Sequence, residues 1–143
     1  KKVFWYEMAD EPFGPNNPES FFGILRFNES LSVKPSAVAF SNMVNNYRHA
    51  IPVGKYVGQS YGFAYDNQGK NQLCLWTEKD SKEETLYLPN TKKVNVIDIF
   101  GRVQQLKVLN GKVVITIGYL PITITGFDQD DFTGLYTPRK VVK

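Results

Sequence analysis

The pattern of hydrophobic and polar positions divides this chain into a short part with one strand and one helix and a longer part made of strands. Residues 3–9 alternate strictly, so that Trp5 and Glu7 fall on one face of the predicted strand while the opposite face is wholly apolar. This arrangement is typical of a barrel strand, whose outer face packs under helices while its inner face reaches a polar site.

One convincing helix follows a loop that is rich in turn-forming residues. The pair Lys34–Pro35 is a good helix opening, because proline suits the first helical turn. Apolar residues then recur at three- and four-residue spacing over 37–47, which marks a single helix face. Pro52 and Gly54 are predicted to end the helix.

From Tyr56 onward the pattern predicts short strands separated by tight turns. The predicted strand segments are YVGQSYGFAYD, QLCLWTEK, ETLYLP, KVNVIDIFG, QQLKVLNG, KVVITIG and PITITGF. Asn67-Gln68-Gly69 separates the first two segments and predicts a hairpin. Asn110-Gly111 is a strong signal for a type I′ hairpin turn. Roughly seven short strands at this spacing predict an antiparallel β-sandwich.

The chain is therefore predicted to be mainly β, with an antiparallel β-sandwich preceded by one βα unit. We place the βα unit at residues 1–52, the sandwich at 53–127 and a polar tail at 128–143. A lone βα unit cannot bury both of its faces. The sandwich, a missing barrel or another subunit must therefore cover Trp5 and the helix.

Composition and charge exclude several classes of protein. The chain has 143 residues, enough for one ordinary domain, whereas a complete (β/α)8 barrel needs roughly 250. Its net charge is only +3 and its basic residues are scattered, so we expect no nucleic-acid partner. It has no apolar run long enough to span a membrane. Because Cys74 and His49 are the only cysteine and histidine, we expect no intrachain disulfide, metal site or cofactor.

Two groups of motifs, in a fixed order, resemble a known enzyme family. The first group is FWYE at 4–7, Asp10, the run from Pro18 to Leu25, and Lys34-Pro35; the second is Leu75-Trp76, the segment from Val94 to Gly101, Asn110 to Val113, and Pro121 to Gly126. Together they resemble the last strand, the last helix and the C-terminal β-sandwich of β-xylosidase-like retaining glycoside hydrolases with a (β/α)8 barrel. The likeness covers roughly residues 3–50 and 56–127.

The resemblance implies that the chain closes the barrel of a glycoside hydrolase and braces it with the sandwich. Such enzymes cleave poly- or oligosaccharides with two carboxylates about 5 Å apart. The matching positions lie outside this chain, so we assign no catalytic residue and leave its status as an enzyme open, leaning to a fragment or subunit. The expected partners are carbohydrate and the remainder of the barrel, as a preceding segment or a second polypeptide.

The resemblance also implies a substrate-binding role for three residues of the first group. Trp5 corresponds to an aromatic residue at the floor of a sugar subsite, and Glu7 and Asp10 could hydrogen-bond sugar hydroxyls or orient the site. The alternative is structural, with Trp5 in the barrel core and Glu7 paired with a neighbouring basic residue. In the second group, Gly101 is expected to supply a turn whose backbone Asp98 hydrogen-bonds.

Two other functions fit the same sequence. A non-catalytic carbohydrate-binding or accessory sandwich would expose coplanar aromatic rings, for example from Tyr56, Tyr61, Tyr65 and Trp76. Phe63 shares one strand face with Tyr61 and Tyr65. The burial of that face therefore distinguishes a carbohydrate-binding sandwich from the C-terminal part of a glycoside hydrolase. A structural or assembly protein would instead dock its orphan strand or its tail on a neighbouring copy.

Asn28-Glu29-Ser30 matches an acceptor sequence for N-glycosylation, which has meaning only for a secreted protein of a suitable host. Whether Asn28 is modified and where the protein resides are left open by the sequence, with a secreted or periplasmic location favoured.

Overall fold

The computed structural model describes residues 8–11, 23–27, 30 and 32–139, which contain two α-helices and nine β-strands. The helices are α1 (Pro35–Tyr47) and α2 (Gln129–Thr133). The strands are β1 (Ala50–Tyr56), β2 (Tyr61–Asn67), β3 (Lys70–Trp76), β4 (Lys82–Tyr87), β5 (Lys93–Ile97), β6 (Val103–Lys107), β7 (Lys112–Ile117), β8 (Ile122–Thr125) and β9 (Tyr136–Pro138).

The strands form two antiparallel sheets that face each other. One has seven strands in the order β6-β5-β8-β3-β2-β1-β9, and the other consists of β4 and β7. All strand pairings are antiparallel. The described residues therefore confirm the predicted fold class, a mainly β sandwich with one helix–strand unit ahead of it.

The core lies between the two sheets, and the period of two along each strand explains its composition. In β7, Val113, Ile115 and Ile117 are buried while the residues between them are exposed. Leu73 and Ile124 face each other from β3 and β8 and are fully buried. Such alternation gives each strand one apolar face, and removing these faces from water drives the sheets together.

Local turn chemistry fixes the β2–β3 hairpin as predicted. Gln68 and Gly69 have φ values of 56° and 79°, both in the left-handed region that a type I′ turn requires. The Gly69 backbone N–H donates to the Asp66 carboxylate at 2.7 Å. The Gly101 turn also forms as predicted, with Asp98 accepting hydrogen bonds from the backbone N–H groups of Phe100 and Arg102.

Asn110-Gly111 forms the predicted local turn but not a hairpin within one sheet. Both residues have positive φ, and Leu109 and Lys112 are bridged across the turn. However, β6 belongs to the seven-stranded sheet and β7 to the two-stranded sheet. The turn therefore serves as a corner at which the chain crosses from one sheet to the other.

The helix end was predicted wrongly. Helix α1 ends at Tyr47 with Arg48 as its C-cap, and both Pro52 and Gly54 lie inside β1. The β1–β2 register shifts between Pro52 and Gly54, which marks an irregularity of the β-bulge type. A strand tolerates proline at such a site because the ladder hydrogen bonds are already interrupted.

The described part of the predicted polar tail, residues 128–139, is attached to the sandwich. Helix α2 is held by the buried Asp131 carboxylate, which accepts hydrogen bonds from the backbone N–H groups of Asn90 and Thr91 and from both of their side chains. Strand β9 then pairs with β1 and forms one edge of the seven-stranded sheet. The proposed boundaries at residues 52 and 127 remain predictions.

Candidate functional site

Asp10 is the one predicted substrate-binding residue that the structure describes, since Trp5 and Glu7 lie outside the described residues. The side chain of Asp10 is only 9% exposed and forms a salt bridge with the Lys34 ammonium group. The same ammonium group donates to the Gly23 carbonyl oxygen at 3.0 Å. Asp10 is thus held by a cation at the start of α1, and its contact with a sugar stays a prediction.

Backbone hydrogen bonds join the segment around Asp10 to the entry of the helix. The Asp10 N–H donates to the Leu25 carbonyl at 2.9 Å, and the Lys34 N–H donates to the Ile24 carbonyl at 3.1 Å. Gly23 is required where these segments meet, because a Cβ atom there would lie 2.1 Å from the backbone carbon of Ala9. Part of the first group of motifs therefore has a structural purpose, which is to pack residues 8–11 against the start of α1.

Glu84 is a second buried carboxylate, which sequence reasoning did not identify although its spacing of two from Leu86 places it on the buried face of β4. One of its oxygens accepts from the Tyr56 hydroxyl and the Gln59 backbone N–H, both at 3.0 Å, and the other accepts from the Ser60 hydroxyl at 2.6 Å. Burial opposes ionisation of Glu84, but the hydrogen bonds from Ser60, Gln59 and Tyr56 outweigh it and lower its pKa. With its oxygens already occupied by protein donors, Glu84 anchors the β1–β2 connection to β4.

A cluster of three aromatic rings, two exposed and one half-buried, lies on the outer face of the seven-stranded sheet, the face turned away from the core. Trp76 is opposite Tyr61 on the neighbouring strand, and their ring centroids are 6.0 Å apart with an interplanar angle of 24°. Phe63 lies 6.0 Å from the same Trp76 ring at 30°. Tyr61 and Phe63 are 46% and 42% exposed. We refer to Tyr61, Phe63 and Trp76 as the aromatic patch.

An open groove adjoins the aromatic patch along β1 and β9. Its volume is about 810 Å³, and Phe63 forms part of both the groove and the patch. The other lining side chains include Lys55, Tyr65, Thr137 and Arg139. Of the aromatic residues named as candidates for sugar contact, Tyr56 is buried and bonded to Glu84, so it is not available at the surface.

Helix α1 lies on the same outer face but at the opposite end of β2. The Tyr47 hydroxyl is 2.6 Å from the Thr123 hydroxyl, and its ring packs edge-on against Tyr65 with centroids 5.1 Å apart. Burial raises the pKa of the Tyr47 hydroxyl strongly, so this group stays protonated and serves as a hydrogen-bonding group. No residue of α1 is buried, and the helix leaves apolar side chains such as Val38 and Met43 exposed.

Two classes of site are not found among the described residues. No group of three or more histidine, cysteine, aspartate or glutamate side chains is arranged to hold a metal ion in this part of the chain. None of the helices within residues 8–11, 23–27, 30 and 32–139 is long and apolar enough to cross a membrane. The described surfaces that could serve a function include the segment around Asp10, the exposed face of α1, and the aromatic patch with its groove.

Comparison with solved structures relates the whole fold to a sugar-cleaving enzyme. The chain is similar to a family 39 glycoside hydrolase from the gut symbiont Bacteroides cellulosilyticus, with a TM-score of 0.73 and 26% sequence identity. The match covers 87% of this chain but only 26% of that enzyme chain. No protein-family model and no curated protein matches the sequence. The structural match supports a glycoside hydrolase-related domain that spans about a quarter of the enzyme it resembles.

Proposed function

We propose that this chain is the C-terminal part of a glycoside hydrolase acting on poly- or oligosaccharide, and that it closes and braces the catalytic barrel of that enzyme. The observation that carries the proposal is the match to a family 39 glycoside hydrolase over 87% of this chain. The match spans only 26% of that enzyme. Under the proposal, the remainder of such an enzyme supplies the rest of the barrel. The finer assignment to a β-xylosidase-like retaining enzyme rests on the resemblance of the motifs.

The exposed apolar residues of α1 support a contact with the rest of a barrel. A (β/α)8 barrel carries its helices as an outer ring in which each helix packs on strands and on neighbouring helices. In the described residues Val38 is 40% and Met43 is 51% exposed. Covering these side chains with a preceding strand and helix would remove apolar surface from water. In this arrangement Trp5, Glu7 and Asp10 would line the substrate side of the last barrel strand.

The catalytic acids would come from the remainder of the barrel. The buried carboxylates of Asp10, Glu84 and Asp131 are all engaged by donors within the chain. Asp98 is also held, by a 2.5 Å contact with the Arg102 side chain and by backbone N–H groups, and these interactions lower its pKa despite partial burial. An acid/base catalyst needs a raised pKa and access to the sugar. These four residues are therefore assigned structural or positioning roles.

The test is hydrolysis by the protein at its natural length, combined with a pair of surface variants. We expect that protein to release the chromophore from an aryl glycoside, with an aryl β-xyloside as the first substrate to assay. Met43→Asp would place a charge in the proposed interface between α1 and the barrel. We therefore expect the thermal midpoint of this variant to fall and its hydrolytic activity to drop about tenfold or more.

Val114→Asp is the matched control, because Val114 is equally exposed but lies on β7, on the outer face of the two-stranded sheet. We expect this variant to retain the wild-type midpoint and activity. Absence of hydrolysis on every aryl glycoside would contradict the enzymatic part of the proposal. Equal behaviour of Met43→Asp and Val114→Asp would contradict the proposed contact between α1 and the barrel.

A further inference from the structure

We infer that the aromatic patch and the adjoining groove form a polysaccharide-binding surface that is separate from any catalytic site. The ligand would be a chain of pyranose units, with the apolar faces of the sugars on the rings and the hydroxyl groups towards the groove. This inference goes beyond the proposed function, because it requires no catalytic carboxylate and no barrel.

The orientation of the rings is the first observation. Tyr61 and Phe63 are inclined to the plane of the Trp76 ring by 24° and 30°, so neither meets it edge to face. Tyr47 and Tyr65, beside α1, instead meet edge to face at 70°. A pyranose ring has flat faces lined by C–H groups, and nearly parallel aromatic rings offer matching apolar surfaces.

The polar groups around the rings are the second observation. The Glu78 carboxylate interacts with the Tyr61 hydroxyl and raises the pKa of that hydroxyl. Lys55, Thr137 and Arg139 line the groove next to Phe63. Apolar rings with a few hydrogen-bonding groups at their rim are typical of sites that bind amphipathic small ligands. A sugar needs both kinds of group. Its apolar faces pack on the rings, and each hydroxyl group that leaves water must regain a hydrogen bond from the protein.

The position of the patch is the third observation, because Tyr61 and Trp76 lie at the end of β2 that is remote from α1, whereas Tyr47 of α1 packs on Tyr65, two positions from Phe63. The C-terminal end of α1 meets β2 at Asn67, whose side chain donates to the Asn46 carbonyl at 2.7 Å. Tyr61 lies at the other end of β2, which is about 20 Å away at 3.3 Å per residue.

A protein partner fits the other exposed surface better. Of the four large apolar side chains that α1 exposes, Val38, Met43 and Val44 are aliphatic or thioether groups and Phe40 is aromatic. Aliphatic and thioether groups suit burial against another apolar element. In the patch, by contrast, all three side chains are aromatic and the rim carries charged and hydroxyl groups. Of the two surfaces, the patch has the chemistry that a sugar needs.

Affinity electrophoresis of the purified chain in gels containing soluble xylan, mixed-linkage β-glucan or galactomannan tests this inference. We expect at least one of these polysaccharides to retard the wild-type chain. Trp76→Ala should weaken that binding about tenfold or more, which corresponds to about 1.4 kcal/mol. Tyr61→Ala should weaken it by a smaller factor, and because Tyr61 is largely exposed this second variant is the one expected to keep the wild-type thermal midpoint.

Tyr87→Ala is the matched control, since Tyr87 is an exposed aromatic residue on β4 in the other sheet. Its affinity should equal that of the wild type. The inference is overturned if none of the three polysaccharides retards the wild type, or if Tyr87→Ala weakens binding as much as Trp76→Ala does. It is also overturned if the patch variants bind polysaccharide as the wild type does and change only the mass measured by sedimentation. That result would show that the patch forms a contact between copies of the chain. Because this assay measures binding alone, its failure leaves the proposed function standing.

Discussion

The sandwich and helix α1 belong to one short chain, yet they differ in how far their apolar side chains are buried. In the sandwich, residues such as Leu73, Leu75 and Ile124 are completely buried between the sheets. Helix α1 has no buried residue and leaves Val38 and Met43 exposed. The sandwich therefore has the properties of a folding unit, whereas α1 leaves apolar side chains exposed, which our proposal covers with the rest of a barrel.

Polar groups show the same contrast. Within the sandwich, the buried carboxylates of Glu84 and Asp131 accept several hydrogen bonds each. Among the described residues, the buried side-chain atom without any hydrogen-bond partner is Oε1 of Gln72. Gln72 pairs with Tyr65 and Thr125, and it lies on the outer face, on the side where α1 packs. Among the described residues, the buried carboxylates of the sandwich thus have their hydrogen-bond partners, and the one unpaired buried oxygen lies on the face where α1 packs.

Truncating one side chain in each region should produce the largest difference. Leu73→Ala removes a fully buried side chain and leaves a cavity, so we expect the free energy of unfolding of the isolated chain to fall by about 2–5 kcal/mol. Met43→Ala, on exposed α1, should change it by no more than about 0.5 kcal/mol. Urea denaturation followed by circular dichroism measures both. Equal losses would show that α1 already belongs to the core of the isolated chain.

A smaller effect on stability is expected in the sandwich when the pH is changed. The folded pKa of Glu84 is lowered from its ordinary value of 4.5, because hydrogen bonds to its carboxylate outweigh the effect of burial. Its stabilising contribution is therefore present above about pH 4.5 and is lost as the pH falls through the lower folded pKa.

Glu84→Gln should cost about 1–3 kcal/mol at pH 7, since it replaces a charged acceptor by a neutral amide. The difference from the wild type should shrink as the pH is lowered to 3. Glu83→Gln is the control, because Glu83 is the exposed neighbour on the same strand. Denaturation curves at several pH values check this, and a pH-independent difference between wild type and Glu84→Gln would refute the role given to the charge.

The elements that the sequence predicted well are those determined by adjacent residues. The turns at Gln68-Gly69 and around Asp98 depend on side chains and φ values within four positions, so their residue types are sufficient signals. Strand alternation likewise predicted the sandwich, because each strand carries its own apolar face.

The features that escaped prediction depend on residues that are distant in the sequence. Glu84 begins the predicted strand segment ETLYLP, but only folding brings it to Tyr56 and Ser60. Asp131 likewise meets Asn90 and Thr91 from about forty positions away. The corner at Asn110-Gly111 has the sequence of a hairpin, and the assignment of its flanking strands to different sheets is decided by pairing elsewhere. Trp5 and Glu7 lie outside the described residues, so their roles stay predictions.

Hydrogen exchange of α1 tests the central claim most directly, by comparing the isolated 143-residue chain with the protein at its natural length. We predict that the α1 amides exchange about tenfold or more slowly in the longer protein, because the proposed barrel covers the helix. The amides of β3 should exchange at the same slow rate in both, since its core is complete within this chain. Equal protection of α1 in the two proteins would contradict the claim that this helix is completed by the rest of a glycoside hydrolase barrel.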